Sequence, residues 1–377
     1  MRLLHLSDLH LGKNIGTYSL LQDQRFVLKD IVRIIDEENI DLVMIAGDIF
    51  DTSIPSAEAL SLYSDFLEEV IFGLGKKVLA IAGNHDSSKR LDINKNFYRS
   101  NNYYLVSELE DNIISFEDAY GRINFHLIPF ISISKARAEL DPTINNFTDL
   151  YKKLLSVISY DDRNVLITHC YASNMGLEDE NAYDDGQKPL TIGGSDAMDA
   201  NLFRNFDYVA LGHLHRAHFV LEPKIRYSGT FMKYSFDESK ETKTVTIVDL
   251  TDEVKISKIK LKTFRDFEIR KGKFEDILKS EASKNYVKFI LEDDYTIENA
   301  MARLKKKFPL AVSISYANKL AFTREDSLDI DIENKGILEL FEDFYKFKMD
   351  EDMGDEEIKT LQRIIEWDLK YLKWEGL

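Results

Sequence analysis

The sequence predicts an α/β core, because short apolar runs alternate with helical patterns, the runs are rich in Leu, Val and Ile, and most lead into Gly, Asp, Asn or His. Residues 2–6, 41–46, 78–82, 165–168 and 208–211 read as buried strands. Between the first two, residues 24–39 place Val27, Leu28, Ile31, Ile34 and Ile35 at helical spacing. Residues 56–74 do the same with Leu60, Tyr63, Leu67, Val70 and Ile71.

The residues just past each strand carry the chemistry. The first strand runs into Ser7-Asp8-Leu9-His10-Leu11-Gly12, the second into Gly47-Asp48-Ile49-Phe50-Asp51, and the third into Gly83-Asn84-His85-Asp86. The fourth reaches His169 and the fifth Gly212-His213-Leu214-His215. Ligands of α/β sheets gather at the carboxyl ends of strands, so five strand ends converge on one place. Carboxylate, amide oxygen and imidazole are ligands for borderline-hard metals, and the thiolate set of structural zinc is missing. The i, i+2 spacing of Asp8 with His10 and of His213 with His215 points each pair to one side if strand geometry persists. Glycines at 12, 47, 83 and 212 suit tight turns beside a ligand. Of 8 histidines, five (His10, His85, His169, His213, His215) fall at strand ends, which a chance scatter of polar turns does not explain. His5 and His126 lie in apolar runs and read as packed structural side chains, and His218 as a surface one.

Length and charge bound the rest. A chain of 377 residues exceeds a single core of about 250–300. One large domain over 1–263 is expected, with smaller pieces over 264–333 and 334–377. The 44% apolar content excludes disorder as the main state. With 66 acidic against 49 basic side chains the net charge is −17, which argues against a stand-alone protein that wraps nucleic acid. Bound cations in an Asp-rich site can still attract phosphate. A single Cys170, and a Met1 that leads straight into a strand with no charged leader, predict a reducing cytoplasm. No apolar stretch nears the roughly 18–20 residues of a membrane span.

The ordered set Asp-x-His, Gly-Asp, Gly-Asn-His-Asp, His and Gly-His-x-His resembles the calcineurin-like metallophosphoesterase superfamily. The fuller wording, HLSDLHLG from residue 5, AGDIFD at 46–51, AGNHDS at 82–87 and FDYVALGHLH at 206–215, is similar to the nuclease subunits of DNA double-strand-break repair complexes, strongly over about the first 265 residues. The resemblance implies a layered sheet core with helices outside. It implies two divalent metal ions, manganese by family preference, although the donors would also take Fe, Zn or Co. One ion falls to Asp8, His10, Asp48 and His215, the other to Asp48, Asn84, His169 and His213, with Asp48 bridging. Two ions about 3.5–4 Å apart serve in-line hydrolysis of a phosphodiester. His85 is then the general acid, and Asp51 the carboxylate that pairs with it, raising its pKa and orienting it. Arg90 is placed to meet phosphate or Asp86. Cys170, after the ligand His169, departs from the usual small or apolar neighbour; it reads as a small buried hydrophobe before a redox-sensitive thiol.

Residues 176–194 form a long acidic loop, read first as a solvated face. From residue 264 a strand–helix–strand–helix–strand pattern makes a small α+β unit, which the resemblance identifies as a capping domain. Its Lys305-Lys306-Lys307 run reads as a solvated helix end. Ile337, Phe341, Phe344 and Tyr345, then Ile358, Leu361, Ile365 and Leu372, mark two amphipathic helices that also carry Trp367 and Trp374. In the resemblance this region docks an SbcC-like ATPase, with a homodimer at the centre of a heterotetramer. No Gly-x-x-x-x-Gly-Lys-Ser/Thr loop occurs in the chain, so ATP dependence must come from such a partner. The expected activity is a two-metal DNA nuclease, exonucleolytic on double-stranded ends and endonucleolytic on hairpins and single strands. The alternatives are a phosphoesterase of nucleotides, small phosphodiesters or phosphoproteins, and a DNA-end tether with a structural metal site.

Overall fold

A computed structural model of the chain describes residues 1–93, 95–109, 112–174, 197–317, 337–349, 352–354 and 357–363. Two sheets form its core. The six-stranded sheet runs in the order Val254–Lys260, Thr244–Leu250, Arg2–Leu6, Leu42–Ala46, Lys77–Ile81, Tyr103–Val106. Its last four strands are mutually parallel and its first two are an antiparallel edge. The five-stranded sheet runs Ile225–Tyr227, Tyr208–Gly212, Arg163–His169, Gly121–Ile128, Ile113–Asp118, all parallel but the last.

Period-two alternation decides how the sheets pack. Leu42, Met44 and Ala46 join Leu79 and Ile81 in a cluster with Phe125, Leu127, Val165, Ile167 and Ala210 of the second sheet. The intervening Val43 and Ile45 belong to the opposite cluster, with Val27, Ile31 and Ile34 of α1 (Leu21–Glu37) and Leu62 and Phe66 of α2 (Ala57–Glu68). Outside the second sheet, Leu166, Val209 and Leu211 meet Leu150 and Tyr151 of Phe147–Leu155. The layers are therefore helix, sheet, sheet, helix, and strands buried on both faces explain why the runs read as continuously apolar. The helical reading of 56–74 holds as α2, begun by Ser56, whose Oγ accepts from the Ala59 N–H at 3.2 Å, and followed by a wide π turn over Glu69–Gly73.

The piece after residue 264 is the strand–helix–strand–helix–strand unit that its pattern predicts: Phe267–Gly272, Phe274–Lys279, Tyr286–Leu291, Ala300–Lys305 and Ala311–Tyr316. It does not stand apart from the sheets. Met1–Leu291 and Thr296–Ser315 form one compact unit, and Glu292–Tyr295 with Tyr316–Leu377 another. Within the first unit, buried Asp23 of α1 accepts from Arg265 at 3.0 Å and from the Tyr286 hydroxyl at 2.9 Å. The Tyr18 hydroxyl donates to the Pro309 and Ala311 carbonyls. Lys305 lies 5.6 Å over the Tyr18 ring and Lys307 donates to the Leu278 carbonyl, so two of the three lysines in the basic run serve packing. In the second unit Ile337–Met349 and residues 357–363 are helical, and the Tyr345 hydroxyl donates to Glu357. The acidic loop 176–194, Ile365, Trp367, Leu372 and Trp374 lie outside the described residues. Among the described residues no helix is long and apolar enough to cross a membrane.

Candidate metal centre

The ligand-bearing strand ends meet at one edge of the two-sheet core. Register brings them level: Ala46 stands beside Ile81 in the first sheet, and Gly212 beside His169 in the second. The chain then turns sharply. Four of the eight non-glycine residues with positive φ among the described residues are Asp8 (53°), His10 (42°), Asp48 (49°) and His213 (107°). Left-handed backbone costs on the order of 1 kcal/mol each for such residues and persists only where the surroundings enforce it. No spacing rule in the sequence announces this strain.

Glycine makes the close packing possible. A Cβ on Gly83 would lie 2.2 Å from Asp48 Oδ1, and one on Gly212 only 1.8 Å from the Ala46 carbonyl. Gly47 also packs against the His169 ring, where a Cβ would come within 2.5 Å of Nδ1.

The donor atoms converge around Asp48. Its Oδ2 lies 3.5 Å from His169 Nε2, 3.7 Å from His10 Nε2 and 4.0 Å from His85 Nε2. Asn84 Oδ1 lies 2.9 Å from His169 Nε2 and 3.2 Å from His213 Nδ1. His10 Nε2 and His215 Nε2 approach to 3.2 Å. Candidate ligand atoms of Asp8, His10 and His215 all lie within 4.8 Å of one another, as do those of Asp8, Asp48 and His169. The two ligand sets inferred from the motifs are thus brought together, with Asp48 between them. His85 also enters a triplet with His10 and Asp48, closer to the cluster than its assignment outside the ligand set suggests.

The protonation chemistry suits cations. His169 Nδ1–H donates to the Ala46 carbonyl at 2.9 Å, which leaves Nε2 as a lone pair facing the Asn84 and Asp48 oxygens. Acceptor facing acceptor at hydrogen-bond distance is unfavourable unless a cation lies among them. Burial, above all, pushes His213 down to about 4 and His215 well below its ordinary value, so both rings are neutral near pH 7. Burial works against the Asp48 charge, but His169, His10 and His85 hold its carboxyl below the usual range. Donors, charge and crowding therefore fit a pair of divalent ions. Asp8, His10, Asp48, His169 and His215 are buried while Asn84 is exposed and His85 keeps 34% of its side chain open, so the cluster opens to solvent on that side.

Three assignments change. Asp51 does not present its carboxylate to His85: the His85 Nδ1–H donates to the Asp51 backbone carbonyl at 2.9 Å. The carboxylate instead takes Lys13 at 2.7 Å and faces His10 Nδ1 at 3.5 Å. Burial opposes its charge, but contacts with His10 and Lys13 hold it at about 2. Asp86 is a loop clasp, accepting from the N–H groups of Ile49, Phe50 and Gly83 at 2.9–3.0 Å. Its oxygens are taken, so the pairing with Arg90 does not form; Arg90 is exposed on Ser88–Leu91. His218 is buried, stacked 4.9 Å from Tyr227, with its Nδ1–H on the Arg216 carbonyl. Cys170 is buried and its thiol is pushed up to about 12, which makes it the small hydrophobe rather than a reactive thiol.

Sequence reasoning missed the supports. Gln24 accepts from the Gly12 N–H and donates to the His10 carbonyl, while the Tyr234 hydroxyl donates to the Leu9 carbonyl. Lys243, buried against Glu238 at 2.5 Å, donates to the His215 carbonyl. Long-range partners like these leave no local pattern. His5 and His126 are the packed side chains expected, bonded to the Tyr208 hydroxyl and to Asn164.

A "Type 5 capsule protein repressor C-terminal domain" family matches residues 263–348. The chain is 29% identical over 380 residues to the SbcD subunit of the nuclease SbcCD from Staphylococcus epidermidis, covering 98% of this chain and 99% of that one. Among solved structures, TT1561 of Thermus thermophilus aligns with TM-score 0.42 and 11% identity, over 69% of this chain and 98% of that one. The Plasmodium protein GAP50, described as the anchor in the inner membrane complex, aligns with TM-score 0.40 and 12% identity, over 84% and 96%. A calcineurin-like phosphoesterase family matches residues 1–217, more than half of the chain and every strand end that bears a ligand. The chain belongs to the calcineurin-like phosphoesterase family.

Proposed function

We propose that this chain is a two-metal DNA nuclease subunit that processes DNA ends together with an SbcC-like ATPase. The observation that carries the chemistry is the convergence of lone pairs from Asp48, Asn84, His169 and His213 beside those of Asp8, His10 and His215. The polymer rests on the end-to-end alignment with the Staphylococcus epidermidis nuclease subunit. Manganese suits the mixed oxygen and imidazole donors. Asp8, His10, Asp48 and His215 would hold one divalent ion and Asp48, Asn84, His169 and His213 a second, and the chemistry such a pair would supply is activation of a water and neutralisation of phosphoryl charge.

The protein's own groups do the remainder. His85 is fixed by its Nδ1–H bond to the Asp51 carbonyl, which leaves Nε2 at the open rim of the cluster. Protonated there, it gives its proton to the departing alkoxide as the phosphodiester breaks, an effect worth about 100- to 10,000-fold. Asp51 and Lys13 orient His10, so the carboxylate after Asp48 acts on a ligand rather than on the acid. Asp86 ties the loop bearing Asp48 to the loop bearing Asn84 and His85, which holds proton donor and ligands in one geometry. Residues 264–333 serve as the capping domain, the C-terminal helices as the dock for the ATPase, and two copies form the working dimer.

Cleavage of an end-labelled DNA hairpin tests this, with manganese, magnesium or chelator, beside His85→Ala. Metal-dependent cutting that falls by at least about 100-fold in the variant, with two metals per chain retained, is the expected result. Turnover of a small phosphodiester without DNA cleavage, even with the ATPase present, would favour the small-substrate phosphoesterase. Full DNA-repair complementation by His85→Ala would favour the tether.

A further inference from the structure

Two of the ligands lie on a segment that does not hold itself in place. Asp8 and His10 are both left-handed, with Leu9 fully buried between them. Such backbone persists only where the surroundings enforce it. On one side the segment leans on the next strand end: the Asp8 N–H donates to the Gly47 carbonyl at 3.0 Å and the His10 N–H to the Asp48 carbonyl at 2.9 Å. On the other it meets two buried side chains from distant parts of the chain, Gln24 and Tyr234.

Gln24 is used to capacity. Its Oε1 accepts from the Gly12 N–H at 3.0 Å, and its Nε2 donates to the His10 carbonyl at 2.8 Å and to the Tyr234 hydroxyl at 3.0 Å. That hydroxyl donates in turn to the Leu9 carbonyl, and the Tyr234 ring stands edge-on to the His10 ring with centroids 5.8 Å apart. A primary amide supplies one acceptor and two donors from a single group. A carboxylate of the same length would face the His10 carbonyl acceptor to acceptor.

Both residues have a chain neighbour that grips the α+β unit. Asp23, beside Gln24, accepts from Arg265 at 3.0 Å and from the Tyr286 hydroxyl at 2.9 Å. Lys233, beside Tyr234, is buried and donates to Asp266 at 2.7 Å. Arg265 and Asp266 directly precede the strand Phe267–Gly272. This pair is therefore held by opposite charges on two dipeptides, Asp23-Gln24 and Lys233-Tyr234, whose second members hold Leu9 and His10. One peptide unit separates the two grips in each case, and a peptide unit is rigid. The seat of Arg265 and Asp266 and the position of the Leu9 and His10 carbonyls are thus not independent.

We propose that Gln24 and Tyr234 are positioning residues for the ligand His10, and that through Asp23 and Lys233 they make metal affinity on the Asp8 and His10 side depend on how the α+β unit is seated. Whatever displaces that unit from the sheets then weakens one ion of the pair and spares the other. The inference rests on the metal-centre reading and is independent of which phosphoester is cut.

The full chain, stripped by chelator, is titrated with manganese by calorimetry, and His10→Ala and His213→Ala assign the two binding steps. Gln24→Met and Tyr234→Phe should each weaken the step lost in His10→Ala by at least about tenfold, in the range for groups that orient a ligand. The step lost in His213→Ala should stay within about threefold of wild type. Arg265→Met, on the α+β side of the linkage, should give the same one-sided loss. Combined with Tyr234→Phe it should cost less than the two separate losses together, as members of one network do. The unfolding temperature in chelator is followed alongside, because a generally loosened fold weakens both ions; equal weakening of both overturns the positioning role. Wild-type manganese affinity in Arg265→Met overturns the coupling. If Gln24→Met does not fold, Tyr234→Phe, which keeps the ring, decides. Fewer than two manganese ions on the wild type overturns the metal-centre reading and this inference with it, whereas two ions with unchanged affinities in the variants overturns this inference alone.

Discussion

The two sheets bring different chemistry to the same edge. From the six-stranded sheet come the oxygens, Asp8, Asp48 and Asn84, with His10 and His85 between them; from the five-stranded sheet come only imidazoles, His169, His213 and His215. The backbone differs in parallel. Asp8, His10 and Asp48 all turn left-handed, whereas His169 is still in its strand, anchored across the sheets by the Ala46 carbonyl. Bringing charged oxygens together requires bent loops, tight glycines and the clasp of Asp86. On the imidazole side the strand itself points His169 inward, while His213 follows a tight Gly212 and also turns left-handed. The oxygen side should therefore fix charge and shared bridging, and the imidazole side affinity.

Asp48→Ala gives the largest expected effect. It removes the carboxylate that both ligand sets share, so phosphodiester hydrolysis should fall at least about 1,000-fold. Metal content by elemental analysis should fall below two per chain, and excess manganese should not restore activity. Two ions retained with near-normal turnover would break the division of labour between the sheets. His213→Ala sharpens it from the other side. Losing one neutral ring should weaken metal binding by about 100-fold, and raising manganese should recover most of the rate. A loss as complete and as irreversible as that of Asp48→Ala would show that the imidazoles do more than set affinity.

The same contrast explains what is legible in the sequence. Strand ends punctuated by Gly-Asp, Gly-Asn-His-Asp and Gly-His-x-His declare themselves, because register forces consecutive parallel strands to deliver their ends together. Burial on both faces makes the strands easy to read and their partners hard. Asp51 is misplaced by sequence reasoning because its partner Lys13 lies 38 residues away, on the loop leading to the Asn14–Ile15 strand, and no local pattern links them. Asp86 looks available for Arg90, since nothing in Asn-His-Asp says that three backbone N–H groups from two loops will fill its oxygens. The left-handed turns at Asp8, His10 and Asp48 are equally silent. Nor does the change of pattern near residue 264 tell that Asp23 of α1 will bind Arg265 and Tyr286 and fasten the following strands to the main body.

Asp51→Asn should have a smaller effect than either ligand change. Its carboxylate faces His10 without being a member of the converging set, so orientation is lost and charge at the centre is not. Activity should drop about tenfold, within the range for residues that orient a ligand, with a weaker response to manganese than His213→Ala shows. A loss that instead shifts the alkaline limb of the pH profile to lower pH, where the general acid His85 loses its proton, would place Asp51 on His85 after all.

The smallest effect concerns a histidine that shares burial with the ligands and lacks their purpose. His5 lies on the inner face of Arg2–Leu6, fully buried against Tyr208. Burial, then Arg226, pushes it down to about 3. Its folded pKa is thus below its ordinary 6.5, so the unfolded chain binds a proton that the folded chain refuses. Stability from the neutral ring is complete above about pH 6.5 and is lost as pH falls from there toward 3, at up to about 1.4 kcal/mol per pH unit. His5→Gln removes this proton uptake and leaves Tyr208 a partner of similar length, costing about 1 kcal/mol at pH 8 for a poorer fit. Urea unfolding midpoints in chelator at pH 8, 6, 5 and 4 should start lower in the variant and then converge with or cross the wild type as pH drops, the histidines of the cluster cancelling in the comparison. Parallel curves would mean that His5 titrates normally, and that inner-face burial alone does not keep an imidazole neutral.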